Sequence, residues 1–339
     1  MEDNMTQMTS EPAVQSTSNT NQLDPTGRPY IWVNGEMRAK NDASVSVFDH
    51  GLLYGDGIFE GIRVYNGKIF KCEQHMDRLI KCCNQIFIDI ESHYSRQEMI
   101  DIQRQCIEAN GITNGYIRFL VTRGAGNLGL NPYQCPVPGV ICIADKISLF
   151  TPEMYEKGMR VVVANRPKTP IACLDPRIKS LNYLNNIMAK CEAIHLSQKL
   201  GITEPSDQLL EVIMLSTEGK VAEGSGDNIF YIKDGKVFTP PSDVGILEGI
   251  TRKFVKDTLC PECGVEIEEK YFELQDLLSA DEIFLTGSAA EMIAVREILE
   301  HKDLEVTKTH TISEGEGPIT KKLRAKFREI VTSDNVPED

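Results

Sequence analysis

The 339-residue chain contains no run of 18 consecutive apolar residues, so a helix crossing a bilayer is not expected. Residues 1–28 offer neither a basic n-region nor an apolar h-region, which argues against a secretory signal there. Basic residues are in deficit: 36 Lys plus Arg against 50 Asp plus Glu give a formal net charge of −14. That balance argues against an extended nucleic-acid surface, which needs clustered Lys and Arg, but it allows a local basic pocket for one small phosphate. No Gly-x-x-x-x-Gly-Lys-Ser/Thr phosphate loop occurs. Gly124-x-Gly126-x-x-Gly129 has a dinucleotide-binding spelling, yet Asn131-Pro132 follows closely and no helix opens there. The six histidines show no ligand spacing, and Cys260-Pro261-Glu262-Cys263 has no second pair, so no metal site is expected.

What is present is a globular composition, 41% hydrophobic and 25% charged, at a length that suits two domains or one large one. Ten cysteines, several beside apolar residues as in Val140-Ile141-Cys142-Ile143, read as reduced, buried thiols of a cytoplasmic protein. Residues 1–28 are rich in Asn, Thr, Ser and Gln and read as a disordered leader. Strands are predicted at Tyr30-Ile31-Trp32-Val33, at the alternating Ser44-Val45-Ser46-Val47-Phe48, and on both sides of the Asn66-Gly67 turn. Helices are predicted over 72–86 and 95–109, the second opened by the capping-box spelling Ser95-Arg96-Gln97-Glu98. Further strands are predicted at 116–122 and 140–145, so the first half reads as an antiparallel sheet with helices to one side. The second half reads as a strand near 159–163, a helix over 181–200, three short strands over 211–215, 220–223 and 228–232, a helix over 251–259, a strand over 282–286 and a helix over 320–331. The overall class is α+β: a small domain over 29–150, a linker over 151–158, a larger domain over 159–331 and a tail over 332–339.

Four segments can carry chemistry. Lys179, between Ile178 and Leu181 at a strand-to-helix junction, would be partly desolvated, which lowers an amine's pKa and makes it a nucleophile for Schiff-base formation. Glu223-Gly224-Ser225-Gly226 pairs a carboxylate with glycines that let a ligand approach the backbone. Gly249-Ile250-Thr251-Arg252 opens a helix whose N–H groups and dipole suit phosphate. Thr286-Gly287-Ser288-Ala289-Ala290-Glu291 is a turn of small residues after a strand, able to offer N–H groups and a hydroxyl to an oxyanion. Each also has a plain reading: a surface lysine, a hairpin turn with a solvated Glu, an ordinary helix start, a tight turn.

Taken together and in this order, the segments resemble the class IV (fold-type IV) pyridoxal-phosphate aminotransferases, and among them the branched-chain amino acid aminotransferases. The likeness runs from Tyr30 to about Val331. It includes Phe48-Asp49-His50-Gly51-Leu52-Leu53-Tyr54-Gly55, Phe59-Glu60-Gly61-Ile62-Arg63, His75-Met76-Asp77-Arg78-Leu79 and Tyr116-Ile117-Arg118. The resemblance implies a two-domain, D-amino acid aminotransferase-like fold with pyridoxal 5'-phosphate between the domains. It implies Lys179 as the catalytic lysine that holds the cofactor as an internal aldimine and shuttles a proton. It implies Glu223 as partner of the pyridine nitrogen, Tyr183 near the ring hydroxyl, and Arg78, Gly249, Ile250, Thr251, Gly287 and Ser288 around the phosphate, with Ser288 where relatives often carry Thr. Tyr54, Phe59, Arg63, Tyr116, Arg118, Ser288 and Ala289 would line the substrate pocket. Either Arg63 or Arg118 would meet the glutamate side-chain carboxylate.

The expected reaction is ping-pong transfer of nitrogen from leucine, isoleucine or valine to 2-oxoglutarate, giving branched 2-oxo acids and L-glutamate, in a homo-oligomer. A D-amino acid aminotransferase and an aminodeoxychorismate lyase are alternatives on the same fold. The first is disfavoured because Thr122-Arg123-Gly124 lacks the Arg-x-His signature that follows such a stretch in that subgroup.

Overall fold

The computed structural model describes residues 29–339, and the expected leader over 1–28 lies outside the described residues. Strands β1 (Tyr30–Val33), β2 (Glu36–Ala39), β3 (Gly57–Tyr65), β4 (Lys68–Ile69), β5 (Gly115–Thr122) and β6 (Gly139–Asp145) form an antiparallel sheet in the order β2-β1-β6-β5-β3-β4. Besides the short helix α1 (His50–Tyr54), this half carries α2 (Cys72–Gln85) and α3 (Arg96–Ala109). Helix α2 buries Cys72, His75, Met76, Leu79, Cys82 and Cys83, an i, i+3, i+4 stripe that meets Ile58, Ile62 and Phe119 of the sheet in one core. The predicted capping box is present: the Ser95 hydroxyl accepts from the Glu98 N–H while Glu98 accepts from the Ser95 N–H.

The remaining strands are β7 (Met159–Val163), β8 (Leu209–Leu215), β9 (Val221–Glu223), β10 (Asn228–Lys233), β11 (Lys236–Thr239), β12 (Ile267–Glu269), β13 (Glu282–Gly287), β14 (Glu291–Lys302) and β15 (Glu305–Thr311). They form a mixed sheet in the order β12-β11-β10-β13-β14-β7-β8-β9, with β15 paired to β14 off that path. Its helices are α4 (Pro152–Lys157), α5 (Leu184–Lys199), α6 (Ile250–Phe254), α7 (Cys260–Glu262), α8 (Leu274–Leu278) and α9 (Pro318–Val331). Helix α5 lays Ala189, Ala193 and Leu196 on Leu209, Val212 and Met214. Helix α6 continues through a π-helical turn, Val255–Leu259, into α7, so the helix expected over 251–259 is longer and locally widened.

Some expectations fail. Ser44–Phe48 forms no strand: no neighbouring ladder accepts it, and Val45, Val47 and Phe48 stay exposed. The stretch expected as a bare linker carries α4, capped by the Thr151 hydroxyl. Strands β2, β11, β12, β14 and β15 have no counterpart among the strands predicted from the sequence. Residues 337–338 return to the first half of the chain. The Lys71 N–H donates to the Pro337 carbonyl at 2.7 Å, the Glu73 N–H to the Glu338 carbonyl, and the Ile69 N–H to the Glu338 carboxylate. All ten cysteines are free, and seven of them are buried. Among the described residues no helix is long and apolar enough to cross a membrane.

Candidate active site

A cavity of about 300 Å³ opens between the two sheets. The first sheet contributes Phe59 and Gly61 of β3 with Tyr116 and Arg118 of β5. The opposite side comes from the loop into α5, the start of α6 and the turn after β13. Lys179 reaches the cavity because its loop completes β3. Strand β4 covers only Val64 and Tyr65, which leaves the early half of β3 with a free edge. The chain near Ser180 takes that edge: the Phe59 N–H donates to the Lys179 carbonyl at 3.0 Å and the Leu181 N–H to the Gly57 carbonyl at 2.9 Å.

Lys179 Nζ donates to the Tyr183 hydroxyl at 3.2 Å and lies 4.4 Å from the centre of the Phe59 ring. Burial pushes its amine down to about 7, helped by the positive charges of Arg78 and Arg118 against Glu60 and Glu223. Burial, with Glu223 nearby, raises the Tyr183 phenol. The tyrosine therefore stays protonated and able to donate.

Arg78, from α2, is gripped by a carboxylate that the sequence reading gave no role. Glu60 is fully buried in β3 and accepts from Arg78 Nε and Nη2 at 2.7 Å each, and from His75 Nδ1 at 2.8 Å. Burial opposes ionisation of Glu60, yet Arg78 and His75 hold its carboxyl well below the usual range. Burial lowers the His75 imidazole; since Glu60 can only accept, Nδ1 of the neutral ring carries the proton. The third bond of Arg78 goes to the Glu248 carbonyl at 2.9 Å, so two of its five N–H groups remain for a ligand in the cavity that it lines. Gly249, Ile250 and Thr251 lie beside it, where the first N–H groups of α6 have no side-chain cap.

Glu223 sits just behind the cavity wall. Oε1 meets Lys168 Nζ at 2.5 Å, and Oε2 accepts from Asn228 Nδ2 at 3.1 Å and from the Leu247 N–H at 3.0 Å. Three of its roughly four acceptor sites are thus filled. Lys168, also buried, carried no signal in the sequence, since nothing beside it suggests a buried partner. On another wall Asp227 is pushed up to about 7 by burial and by Glu211. Its carboxylate packs on Gly287, where a Cβ would overlap Asp227 Oδ1. Thr286 lines the cavity as well, and its buried hydroxyl has no partner in the protein.

Of the expected site residues, the cavity gathers Phe59, Arg78, Tyr116, Arg118, Lys179, Tyr183, Gly249, Ile250, Thr251, Gly287, Ser288 and Ala289. Arg118 stacks 4.6 Å from the Phe59 ring centre and donates to the Tyr116 hydroxyl at 3.3 Å. Tyr54 and Arg63 do not line it. Tyr54 ends α1 on the surface, edge-on to His50. Arg63 points to a neighbouring cavity and donates to Glu291 Oε1 at 2.8 Å. Glu291 itself has φ +59°, a conformation that costs a residue with a side chain roughly 1–3 kcal/mol.

A reactive amine, an arginine beside uncapped helix N–H groups, a buried carboxylate and an unpartnered hydroxyl around one slot fit a flat, anionic, aldehyde-bearing ring. The comparisons with known proteins agree. The amino-transferase class IV family model matches residues 57–298. A Methanocaldococcus jannaschii protein, provisionally named a branched-chain-amino-acid aminotransferase, is 42% identical over 302 residues, covering 89% of this chain and 96% of its own. The branched-chain amino acid aminotransferase of Escherichia coli superposes with a TM-score of 0.79 at 30% identity, covering 92% of this chain and 97% of that one. The Thermobaculum terrenum branched-chain amino acid aminotransferase, solved in its PLP-form, gives 0.74 at 26% identity, covering 93% and 95%. The chain belongs to the class IV aminotransferase family, as a branched-chain-aminotransferase-like enzyme.

Proposed function

We propose that the protein transfers the amino group of branched-chain L-amino acids to 2-oxoglutarate with pyridoxal 5'-phosphate as cofactor, in a ping-pong reaction. The observation that carries this reading is Lys179: a buried amine whose pKa is lowered to about 7, in a cavity that Arg78 and the start of α6 also line. Pyridoxal phosphate, when bound, supplies an electron-accepting ring that makes the substrate α-proton acidic. The protein does the rest. Arg78 and the N–H groups of Ile250 and Thr251 bind the phosphate dianion, and Glu60 with His75 keeps Arg78 aimed. Glu223 provides a fixed anion for a protonated ring nitrogen, and Lys168, Asn228 and Leu247 hold that anion in place. Lys179 Nζ takes the proton from the substrate α-carbon and returns one, with the Tyr183 hydroxyl at its side.

Substrate recognition falls to the first sheet and the turn after β13. The N–H groups of Ser288 and Ala289 receive the α-carboxylate. The rings of Phe59 and Tyr116 face an aliphatic side chain, and Arg118 is the arginine available for the second carboxylate of glutamate.

The same reading includes a homo-oligomer. Val47 and Phe48 before α1, Leu52 on α1, and Leu128, Leu130 and Tyr133 after β5 are exposed, and the His50 Nε2 contact to the Asn127 carbonyl at 2.8 Å joins the two segments. A second copy would cover this apolar face, and Tyr54, at its edge, would serve the partner's cavity.

D-Amino acid aminotransferases and aminodeoxychorismate lyases share the family. Assays with L-leucine, D-alanine and aminodeoxychorismate, each with the purified holoenzyme, separate the three. Turnover of D-alanine alone would overturn the proposal. Borohydride trapping followed by peptide mass spectrometry should place the cofactor on Lys179.

A further inference from the structure

Strands β13 and β14 are joined by a hairpin in which Gly287 pairs with Glu291 and Ser288, Ala289 and Ala290 form the loop. In a hairpin of this length the left-handed residue is ordinarily glycine. Here it is Glu291, nearly buried, at φ +59°. A strained backbone bearing a long charged side chain points to work done by the side chain.

That work is visible. The Glu291 carboxylate accepts from Arg63 Nη2 and from the Tyr65 hydroxyl at 2.8 Å each, and from Arg328 Nη1 at 2.8 and 3.0 Å. Arg63 and Tyr65 are alternate residues of β3, so both side chains leave the same face of the first sheet. Arg328 comes from α9. One carboxylate therefore ties the foot of the hairpin to the first sheet and to α9. The loop it anchors is held at a second point, where the Tyr155 hydroxyl donates to the Ala290 carbonyl at 3.0 Å. On its other side the loop turns Gly287, Ser288 and Ala289 into the cavity.

We propose that Glu291 is a positioning residue for substrate. Clamped by Arg63, Tyr65 and Arg328, it fixes the loop whose N–H groups take the substrate α-carboxylate, and Arg63 acts through this clamp, not as a receptor for the substrate side chain. The inference rests on the transaminase reading above. It predicts that loosening the clamp weakens both substrates alike, because both carry the α-carboxylate. Loss of a side-chain receptor would weaken glutamate and 2-oxoglutarate alone.

The test uses the holoenzyme with Glu291→Gln, Arg63→Gln and Arg63→Lys. The KM for L-leucine and the KM for 2-oxoglutarate should each rise about tenfold in Glu291→Gln and Arg63→Gln while kcat stays within about threefold, a loss the size of one misaligned carboxylate hydrogen bond. Calorimetric affinity for 4-methylpentanoate, a branched carboxylate with no amino group to react, should fall by the same factor. Arg63→Lys, which keeps the charge, should recover most of both losses. Unchanged KM and affinity in Glu291→Gln overturn the clamp, and so does a defect of Arg63→Gln confined to 2-oxoglutarate. If Glu291→Gln does not fold, the two Arg63 variants decide between the same outcomes. A parent enzyme that turns over no branched-chain substrate would instead sink the transaminase reading, and the two failures are distinct.

Discussion

The amine of Lys179 should react as no other lysine of the chain does. Stripped of cofactor, it titrates near 7 against an ordinary value of 10.5. At pH 7 about half of it is free base, whereas an exposed lysine has roughly 0.03%, a difference of about 3.2 decades. A less basic amine is also a weaker nucleophile; with the slope of about 0.4–0.5 known for thiolates, about 1.6 decades are given back, leaving roughly a 40-fold advantage. Trace acetylation of the cofactor-free protein across pH 5–11, read lysine by lysine by mass spectrometry, measures this directly. Labelling of Lys179 should rise through pH 6–8 and then level off, while exposed lysines climb through pH 10. Removing the strongest nearby positive charge, by Arg78→Gln, should move the midpoint of Lys179 upward. A Lys179 curve centred near 10 would refute the reasoning, since it would mean that burial and Arg78 do not act on the amine as the geometry requires.

Glu60→Gln takes the ionic partner from a buried arginine and should cost about 3–5 kcal/mol in denaturant unfolding, as breaking one side of a buried ion pair does; it should also weaken cofactor binding, read by equilibrium dialysis. Gly287→Ala puts a methyl group into the Asp227 carboxylate and should raise the KM for every substrate, with a smaller change in unfolding midpoint. Gly61→Ala, whose Cβ would collide with the Tyr116 hydroxyl, should displace that ring and impair leucine turnover. Phe48→Ser combined with Leu130→Ser should shift the assembly toward monomer in light scattering; an unchanged mass would exclude those loops as the interface.

The sequence disclosed the chemistry more readily than the architecture that supports it. Lys179, Tyr183 and the helix start at Gly249 were legible because they lie in short local segments, and the structure brings those segments to one cavity. The grip on Arg78 was not legible. Glu60 lies 18 residues upstream in a different element, and a charge within an otherwise buried strand was its only trace. Lys168 left no trace, because its partner Glu223 is brought to it only by the sheet. Arg63 and Arg118 look alike in sequence; a carboxylate 228 residues away from Arg63 separates their surroundings. Strand β14 was missed because Met292, Val295 and Leu299 are spaced as a helix would space them. Ser44–Phe48 alternates as a strand does, but alternation cannot supply the neighbouring edge that a strand needs.

The bonds from residues 337–338 to β4 and the residues that follow it have a consequence for how the molecule is made. Glu338 lies 269 residues beyond Ile69, whose N–H it receives. The small hairpin at the edge of the first sheet therefore takes its final partners from residues that lie beyond α9 in the chain. Contacts that bridge so much chain are slow to form, because the intervening loop must first be closed. The first half of the protein, though earlier in the chain, therefore stays incomplete at that edge until residues 337–338 reach it.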